Sequence, residues 1–351
     1  MKNITHKTIA IVGGGPGGLT LARLLQMNGL RVKVYERDAG KTARLQGGTL
    51  DLHDDSGLKA LHHAGLMEAF RANYRPGADK MLIVDRNAAV LMDNFGSGEI
   101  GPERPEIDRG PLREILLDSL TTDTVVWDCR LTALTPLNSA VKLEFANGTS
   151  AEADLVVGAD GANSKIRPYV TSIQPIYSGV TIVQGAVQNA EIAVPDIQQR
   201  LGIGKIIALG NGTSLFISAK GDGSLDFYTG HKTEENWAET SGINFSERAD
   251  VLKWFQAEFL GWSPLWDALI QNADLPFLPR PQYFMPPDQS WETLPNLTLL
   301  GDAAHVMPPY AGEGVNMAML DALELAECLI SSGFPDTQAA LAAYETKMHT
   351  R

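Results

Sequence analysis

Three acids stand out for what precedes them. Glu36 ends the run Arg31 to Tyr35, Asp160 follows the buried-looking run Asp154 to Gly158, and Asp302 follows Leu297 to Gly301. A carboxylate at the end of a buried strand is placed to accept hydrogen bonds from ligand hydroxyls, although a lone Gly-Asp or Asp-Gly is more often a turn former. The stretch Gly13-Gly14-Gly15-Pro16-Gly17-Gly18 adds a second kind of chemistry, with G-x-G-x-x-G at Gly13, Gly15 and Gly18. Gly13 permits a tight strand-to-helix turn, Gly15 lets a pyrophosphate approach the backbone, and Gly18 lets the helix pack closely on a sheet. Unpaired amides and the positive end of a helix dipole then face the phosphates. Glu36 comes roughly 20 residues on, where an acid accepts from ribose hydroxyls. Together these residues read as a dinucleotide site. No Ser-His-Asp, metal-ligand or paired-carboxylate pattern competes. His305, directly after a buried strand and two alanines, is expected to be a structural histidine.

The elements that must position these residues are legible around them. Ile9 to Val12 reads as a strand buried on both faces, and Leu19 to Met27 as a helix stopped by Asn28-Gly29. A helix is predicted over Gly57 to Tyr74, a hairpin over Met81 to Met92, and a helix over Leu112 to Leu120 that leaves Arg109 and Arg113 available elsewhere. Strands follow at Thr124 to Asp128, Val141 to Phe145 and Asp154 to Gly158. Alternating patterns then mark Gly179 to Val187, Lys205 to Leu209, Ser214 to Ser218 and Ser224 to Thr229, followed by a helix-rich stretch whose Trp254, Trp262 and Trp266 are read as core. A helix from about Gly314 to Ile330 and a last one over Thr337 to Lys347 complete the chain. The fold expected is α/β: a Rossmann-type unit (residues 1–75, 105–170 and 286–335), an inserted mixed β-sheet unit (76–104 and 171–285) and a C-terminal helix (336–351). Three glycine-bearing turns, at 9–18, 154–161 and 297–302, would share the carboxyl edge of one sheet.

Composition removes several classes. With 29 basic against 42 acidic residues the net charge is −13, and no basic run marks a nucleic-acid surface. Cys129 and Cys328 stand alone, so neither a disulfide framework nor a zinc site is suggested. No long apolar segment reads as a signal peptide or membrane span, which makes the cytoplasm the default compartment; a monomer is the expected state.

The glycine loop, Asp160-Gly161 and Gly301-Asp302 resemble the three fingerprints of the single-component flavin monooxygenases, the para-hydroxybenzoate hydroxylase superfamily. YERD, GGTLDLH, Pro111-Leu112-Arg113, DTVVWD and GDAAHVMPPYAGEGVN look most like the tetracycline-inactivating members. The resemblance covers nearly the whole chain and implies bound FAD, with NADPH visiting transiently; only one glycine loop is present, as that implies. It also implies cofactor contacts at Glu36, Arg37, Asp51, Arg113, Asp160, Arg167, Gly301 and Asp302, and an NADPH-associated Arg44. Pro308, Gly312, Gly314, Val315 and Asn316 would line the isoalloxazine, with backbone amides stabilising negative charge there. Glu313 stands where the family most often has glutamine, and its side chain is expected to point into solvent. No side chain is assigned as a catalytic acid or base: the implied reaction is transfer of one oxygen atom from a flavin C4a-hydroperoxide to an electron-rich aromatic or enol carbon.

The substrate is least legible. Gln184 matches a glutamine that contacts tetracycline in the resembling enzymes, while Lys205 and Asp226 fall where those have arginine and histidine. A lysine does not copy a bidentate arginine fork, and an aspartate reverses the hydrogen-bonding sense. Phe216 and Met317 are candidate apolar walls. The resembling enzymes also carry a long bridging helix beyond the position of Arg351. A tetracycline-like antibiotic is the leading substrate. The alternatives are another phenolic or polyketide-like compound, or a flavoprotein that binds a drug without turning it over. A halogenase fits less well, because Trp262-Ser263-Pro264-Leu265-Trp266 is not their W-x-W-x-I-P element.

Overall fold

The computed structural model describes residues 4–43, 47–94 and 104–351. Its first layer is a five-stranded sheet in the order Leu297–Leu299, Leu155–Gly158, Thr8–Val12, Arg31–Tyr35, Val125–Val126, with every neighbouring pair parallel. Ile9, Ala10, Ile11 and Val12 are all buried, as a central parallel strand covered on both faces requires. Helices Pro16–Met27 and Glu313–Ile330 pack on each other, and Leu19, Leu21, Leu25, Met319, Leu323 and Leu325 join the sheet in one apolar core. Pro16 opens the first helix, where its fixed φ suits the helix and its missing N–H costs nothing.

The second layer is a seven-stranded mixed sheet, ordered Leu278–Phe284, Ile176–Val187, Leu225–Lys232, Thr213–Ala219, Lys205–Gly210, Met81–Asp85, Val90–Asp93. One face carries a separate core of Val183, Leu215, Ile217, Leu225 and Phe227 under helices Pro195–Leu201, Arg248–Glu258 and Asp267–Asn272. Trp262 and Trp266 belong to that core and Trp254 packs against it, as expected. Strand alternation sends Gln184, Asp226, Tyr228, Phe216 and Lys205 to the other face. A short antiparallel pair, Thr49–Asp51 with Glu106–Asp108, lies where the two layers meet.

Four features depart from the sequence reading. The predicted helix over 57–74 is two pieces, Gly57–His63 and Met67–Arg71, because the chain takes φ +70° at Gly65 between them. Leu131–Pro136 and Ser150–Ala153 flank Val141–Phe145 in a three-stranded sheet whose outer strands carry too little apolar alternation to announce themselves. Leu278–Phe284 is a strand although it holds Pro279 and Pro281; it lies at the sheet edge, where prolines are tolerated. Pro195–Leu201 forms a helix in a stretch for which none was predicted.

His231 sits in the second core, 2% exposed, with the Trp237 ring 4.4 Å and the Trp254 ring 5.2 Å away. Burial pushes its imidazole down to about 4, and the Thr181 backbone only partly offsets this. The unfolded chain therefore binds a proton below pH 6.5 that the folded one refuses, so this residue costs stability as pH falls. Comparing urea unfolding of the natural chain with His231→Phe isolates the effect. Between pH 7 and 4 the natural chain should lose on the order of 3 kcal/mol relative to the variant; a pH-independent difference would contradict it.

Candidate active site

The site is assembled where the parallel strands end. Gly13 has φ +115°, and a β-carbon there would lie 2.1 Å from the Ala159 carbonyl oxygen, so the first two turns touch backbone to backbone. Gly18 is equally confined: its β-carbon would lie 2.2 Å from the Gly13 oxygen and 3.2 Å from Ile11. Gly15 differs from both, since a β-carbon would meet nothing within 4 Å. Its lack of a side chain answers to no protein neighbour.

Glu36 is 4% exposed and its carboxylate accepts the Gly14 N–H at 2.5 Å and the Asp38 N–H at 3.0 Å. Arg113, on the helix Arg109–Asp118, reaches the same loop. It donates to the Lys41 carbonyl at 2.9 Å, approaches the Gly14 carbonyl at 3.4 Å and Asp38 at 3.5 Å, and lies 5.4 Å from the Trp127 ring centre. Arg37 is exposed, and Arg44 lies outside the described residues.

The second and third turns are fastened by Arg167. Its buried guanidinium donates to the carbonyls of Ala162 (2.9 Å), Asp302 (2.7 Å) and Ala303 (2.8 Å). Those bonds give this arginine a scaffolding part, and burial pulls its pKa down. Asp160 accepts the Lys165 N–H at 2.6 Å through one oxygen while the other, buried, has no partner among the described residues. Burial pushes the carboxyls of Asp160 and Asp302 up. Gly301 takes φ +58° with its N–H on Asp321, and a β-carbon there would lie 2.8 Å from Ala318. His305 also binds Asp321, at 2.5 Å, and Arg351 pairs with the same carboxylate, which is fully buried. Burial opposes the His305 charge, but the Asp321 charge and hydrogen bond outweigh it and push its pKa up. His305 is thus structural, as expected. Asp321 was missed; its only sequence signal is an acid within the apolar run Met319 to Leu323.

Asn316 turns out to be a clamp. It is fully buried, accepts from the His53 and Gly57 amides at 3.0 and 3.2 Å, and donates to the Asp51 and Gly312 carbonyls at 2.8 and 3.2 Å. Its side chain is saturated within the protein. Pro308 and Gly312 lie just before the helix Glu313–Ile330; Gly312 has φ +71°, and its β-carbon would lie 2.6 Å from Asp51. Gly314 stands 3.8 Å from Asp302 by the same measure, and Val315 packs partly on the main core. Glu313 departs from expectation: one-third exposed, it faces His53 at 3.5 Å, and His53 also contacts Asp51 at 3.1 Å. The imidazole separates two carboxylates that would otherwise repel.

The four substrate candidates share the face of the second sheet opposite its apolar core but differ in freedom. Lys205 is already paired with the buried Glu106, so its ammonium joins the two layers. Gln184 accepts from Arg280 at 2.7 Å and lies 3.5 Å from the Tyr228 hydroxyl. The Phe216 ring is 6.3 Å from the Tyr228 ring. Asp226 is 3% exposed, and one of its oxygens has no partner among the described residues. Tyr228 and Arg109 complete this region. Burial raises the pKa of Asp226, Tyr228 and Asp302, and the Arg109 charge works against that rise at each; its Nε lies 3.4 Å from where a β-carbon of Gly47 would stand.

Truncating the clamp separates architecture from chemistry. Asn316→Ala strands buried amides of His53 and Gly57 and should cost about 3 kcal/mol in urea unfolding. A cost below about 1 kcal/mol would mean water replaces the side chain and the clamp is not needed.

Residues 6–201 and 294–351 match the family described as FAD binding domain. Monooxygenase asqM of Emericella nidulans is 30% identical over 98% of this chain and 91% of its own length. The 6-hydroxynicotinate 3-monooxygenase of Pseudomonas fluorescens is 28% identical over 98% and 88%. The solved structure of tetracycline destructase Tet(51) superposes with a TM-score of 0.73 over 98% of this chain and 86% of that one, at 17% identity, a likeness of fold alone. The chain belongs to the FAD-binding-domain family and is a flavin-dependent monooxygenase.

Proposed function

We propose that the protein uses NADPH and oxygen to hydroxylate an electron-rich aromatic or enol carbon of a small molecule held between the sheet edge and the face of the second sheet opposite its apolar core. The observation that carries this reading is the convergence of three distant turns, around Gly13, Asp160 and Asp302, on one sheet edge beside the bare backbone of Gly15. The residues fit FAD. Gly15 leaves room for a pyrophosphate, the Glu36 carboxylate lies at the strand end where a ribose is held, and Asp160 offers an acceptor that other described residues leave unused. Bound FAD supplies electron transfer from the nicotinamide to oxygen and delivery of one oxygen atom to the ring.

Everything else is placement. Arg113 and Arg167 hold the two ends of the edge through backbone carbonyls, so the acids need not move when a ligand arrives. Gly312, held by Asn316, starts the long helix, whose first amides would stabilise negative charge on a bound flavin. Phe216, Tyr228 and Gln184 form the wall that would orient the substrate ring.

Tetracyclines are the first substrates to test, since the sequence motifs and the fold both resemble destructases. Lys205 argues for smaller rings beside them: its charge is engaged by Glu106, and a relative named for 6-hydroxynicotinate spans nearly the whole chain. Purified protein should be yellow, and NADPH should bleach it under nitrogen faster when a true substrate is present. Stimulation by tetracycline followed by loss of its chromophore in air selects the antibiotic; stimulation only by phenols or hydroxypyridines selects the smaller ring. A colourless protein, or flavin that NADPH does not reduce with any of these compounds, would refute the reading. Asp302→Ala should lower flavin occupancy about tenfold or more while leaving the unfolding midpoint of the flavin-free protein within about 2 °C of the natural chain's.

A further inference from the structure

The helix Thr337–Thr350 packs on Glu313–Ile330 and buries Ala340, Leu341, Tyr344 and Met348. Its polar side chains converge on one stretch of chain. Gln338 donates to the Thr293 carbonyl at 2.8 Å, Glu345 accepts the Thr298 hydroxyl at 2.7 Å, and Tyr344 donates to the Leu299 carbonyl at 2.9 Å. Leu297–Leu299 is an outermost strand of the parallel sheet and bonds inward through Asn296 and Leu300. Alternation therefore turns the Leu299 carbonyl outward, where the Tyr344 hydroxyl meets it. That strand runs directly into Gly301 and Asp302, so the helix grips the third acidic turn from the side away from the sheet.

Arg351, which follows the helix, reaches the turn through an intermediary. Asp321 is fully buried and its two oxygens are divided. One takes the Gly301 N–H at 2.8 Å and His305 Nε2 at 2.5 Å, and the other takes Arg351, whose second nitrogen donates to Glu324 at 2.7 Å. With both oxygens engaged, the carboxylate has one orientation. Resting on the flavin reading above, we propose that Arg351 is a positioning residue of the cofactor site: it fixes the carboxylate of Asp321, and through it the Gly301 turn that presents Asp302 to bound FAD. Without Arg351 one oxygen of a buried anion is unmet, and the carboxylate turns toward the opening that the arginine side chain, 24% exposed, had filled. Turning takes the acceptor off Gly301. Charge shifts with it: burial pushes the Asp302 carboxyl up, the His305 charge opposes that rise, and His305 keeps its charge against burial because of Asp321. By reciprocity, bound flavin strengthens the docking of Arg351.

The test uses the flavin-loaded full chain and the rate at which flavin is lost after dilution, read as flavin remaining with the protein on gel filtration. Arg351→Ala should lose flavin about five- to fiftyfold faster than the natural chain. Arg351→Lys, which keeps the charge but not the planar fork, should recover at least about half of that loss on a logarithmic scale. The deciding comparison is a cycle with Asp321→Asn: once Asp321 has lost its charge, Arg351→Ala should add less than about twofold. Gln338→Ala serves as the control, since it loosens the same helix without touching Asp321, and its release should stay within about twofold of the natural rate. Unchanged release in Arg351→Ala, no recovery by lysine, or an undiminished further loss in the Asp321→Asn background overturns the assignment. Should Asp321→Asn not fold, the control decides: release from Gln338→Ala as fast as from Arg351→Ala would mean that the helix acts only as packing, and the proposal would fall. The monooxygenase reading stands apart, because it rests on flavin content and NADPH reduction of the unsubstituted protein.

Discussion

Parallel pairing is the constraint from which the rest follows. Thr8–Val12 lies between Leu155–Gly158 and Arg31–Tyr35, and Leu297–Leu299 adds to Leu155–Gly158 in the same direction. Strands running one way end at one edge, so turns separated by nearly the length of the chain become neighbours. Gly13 then lies against Ala159 with no room for a side chain, and Arg167 bonds the backbone on both sides of the second gap. Hydrogen bonds from a single buried guanidinium to three carbonyls are charge-assisted and leave little freedom. The edge is therefore built before any ligand binds, which is how an electrostatic site avoids reorganisation.

A second device sets where the long helix begins. Asn316 ties the segment Asp51–Gly57 to the helix start, and Asp321, one turn and a half further on, holds the Gly301 turn, His305 and Arg351. The helix Glu313–Ile330 is thus joined by polar contacts to both flanks of the site while its apolar side packs on Pro16–Met27. Glu313 fits the same logic, because His53 lies between its carboxylate and that of Asp51.

The parts legible in the sequence were those whose physics is local. A glycine that must turn, an acid after a buried strand and a helix stripe each advertise themselves within a few residues, and the five-stranded sheet and the glycine loop were readable for that reason. The two outer strands of the three-stranded sheet and the proline-bearing edge strand Leu278–Phe284 were not, since their pairing partners rather than their own patterns decide them. Among site residues the same division holds. Sequence placed Asn316, Arg167 and Lys205 near the ligand, and the structure shows what their side chains hold: two amides and two carbonyls, three carbonyls, and Glu106. Polar partners distant in the chain leave no periodic trace, which is also why Asp321 and Tyr228 went unseen.

Gly15 offers the most direct test that an extended dinucleotide runs along this edge. A β-carbon at that position touches no protein atom within 4 Å, so Gly15→Val should fold normally and, compared without flavin, unfold within about 1 kcal/mol of the natural chain. What it should lose is flavin: the added methyls would occupy the pyrophosphate path and weaken FAD binding at least a hundredfold in a titration of the flavin-free protein. A variant that folds and keeps its full affinity for FAD would show that the phosphates lie elsewhere, and the account would fail with it.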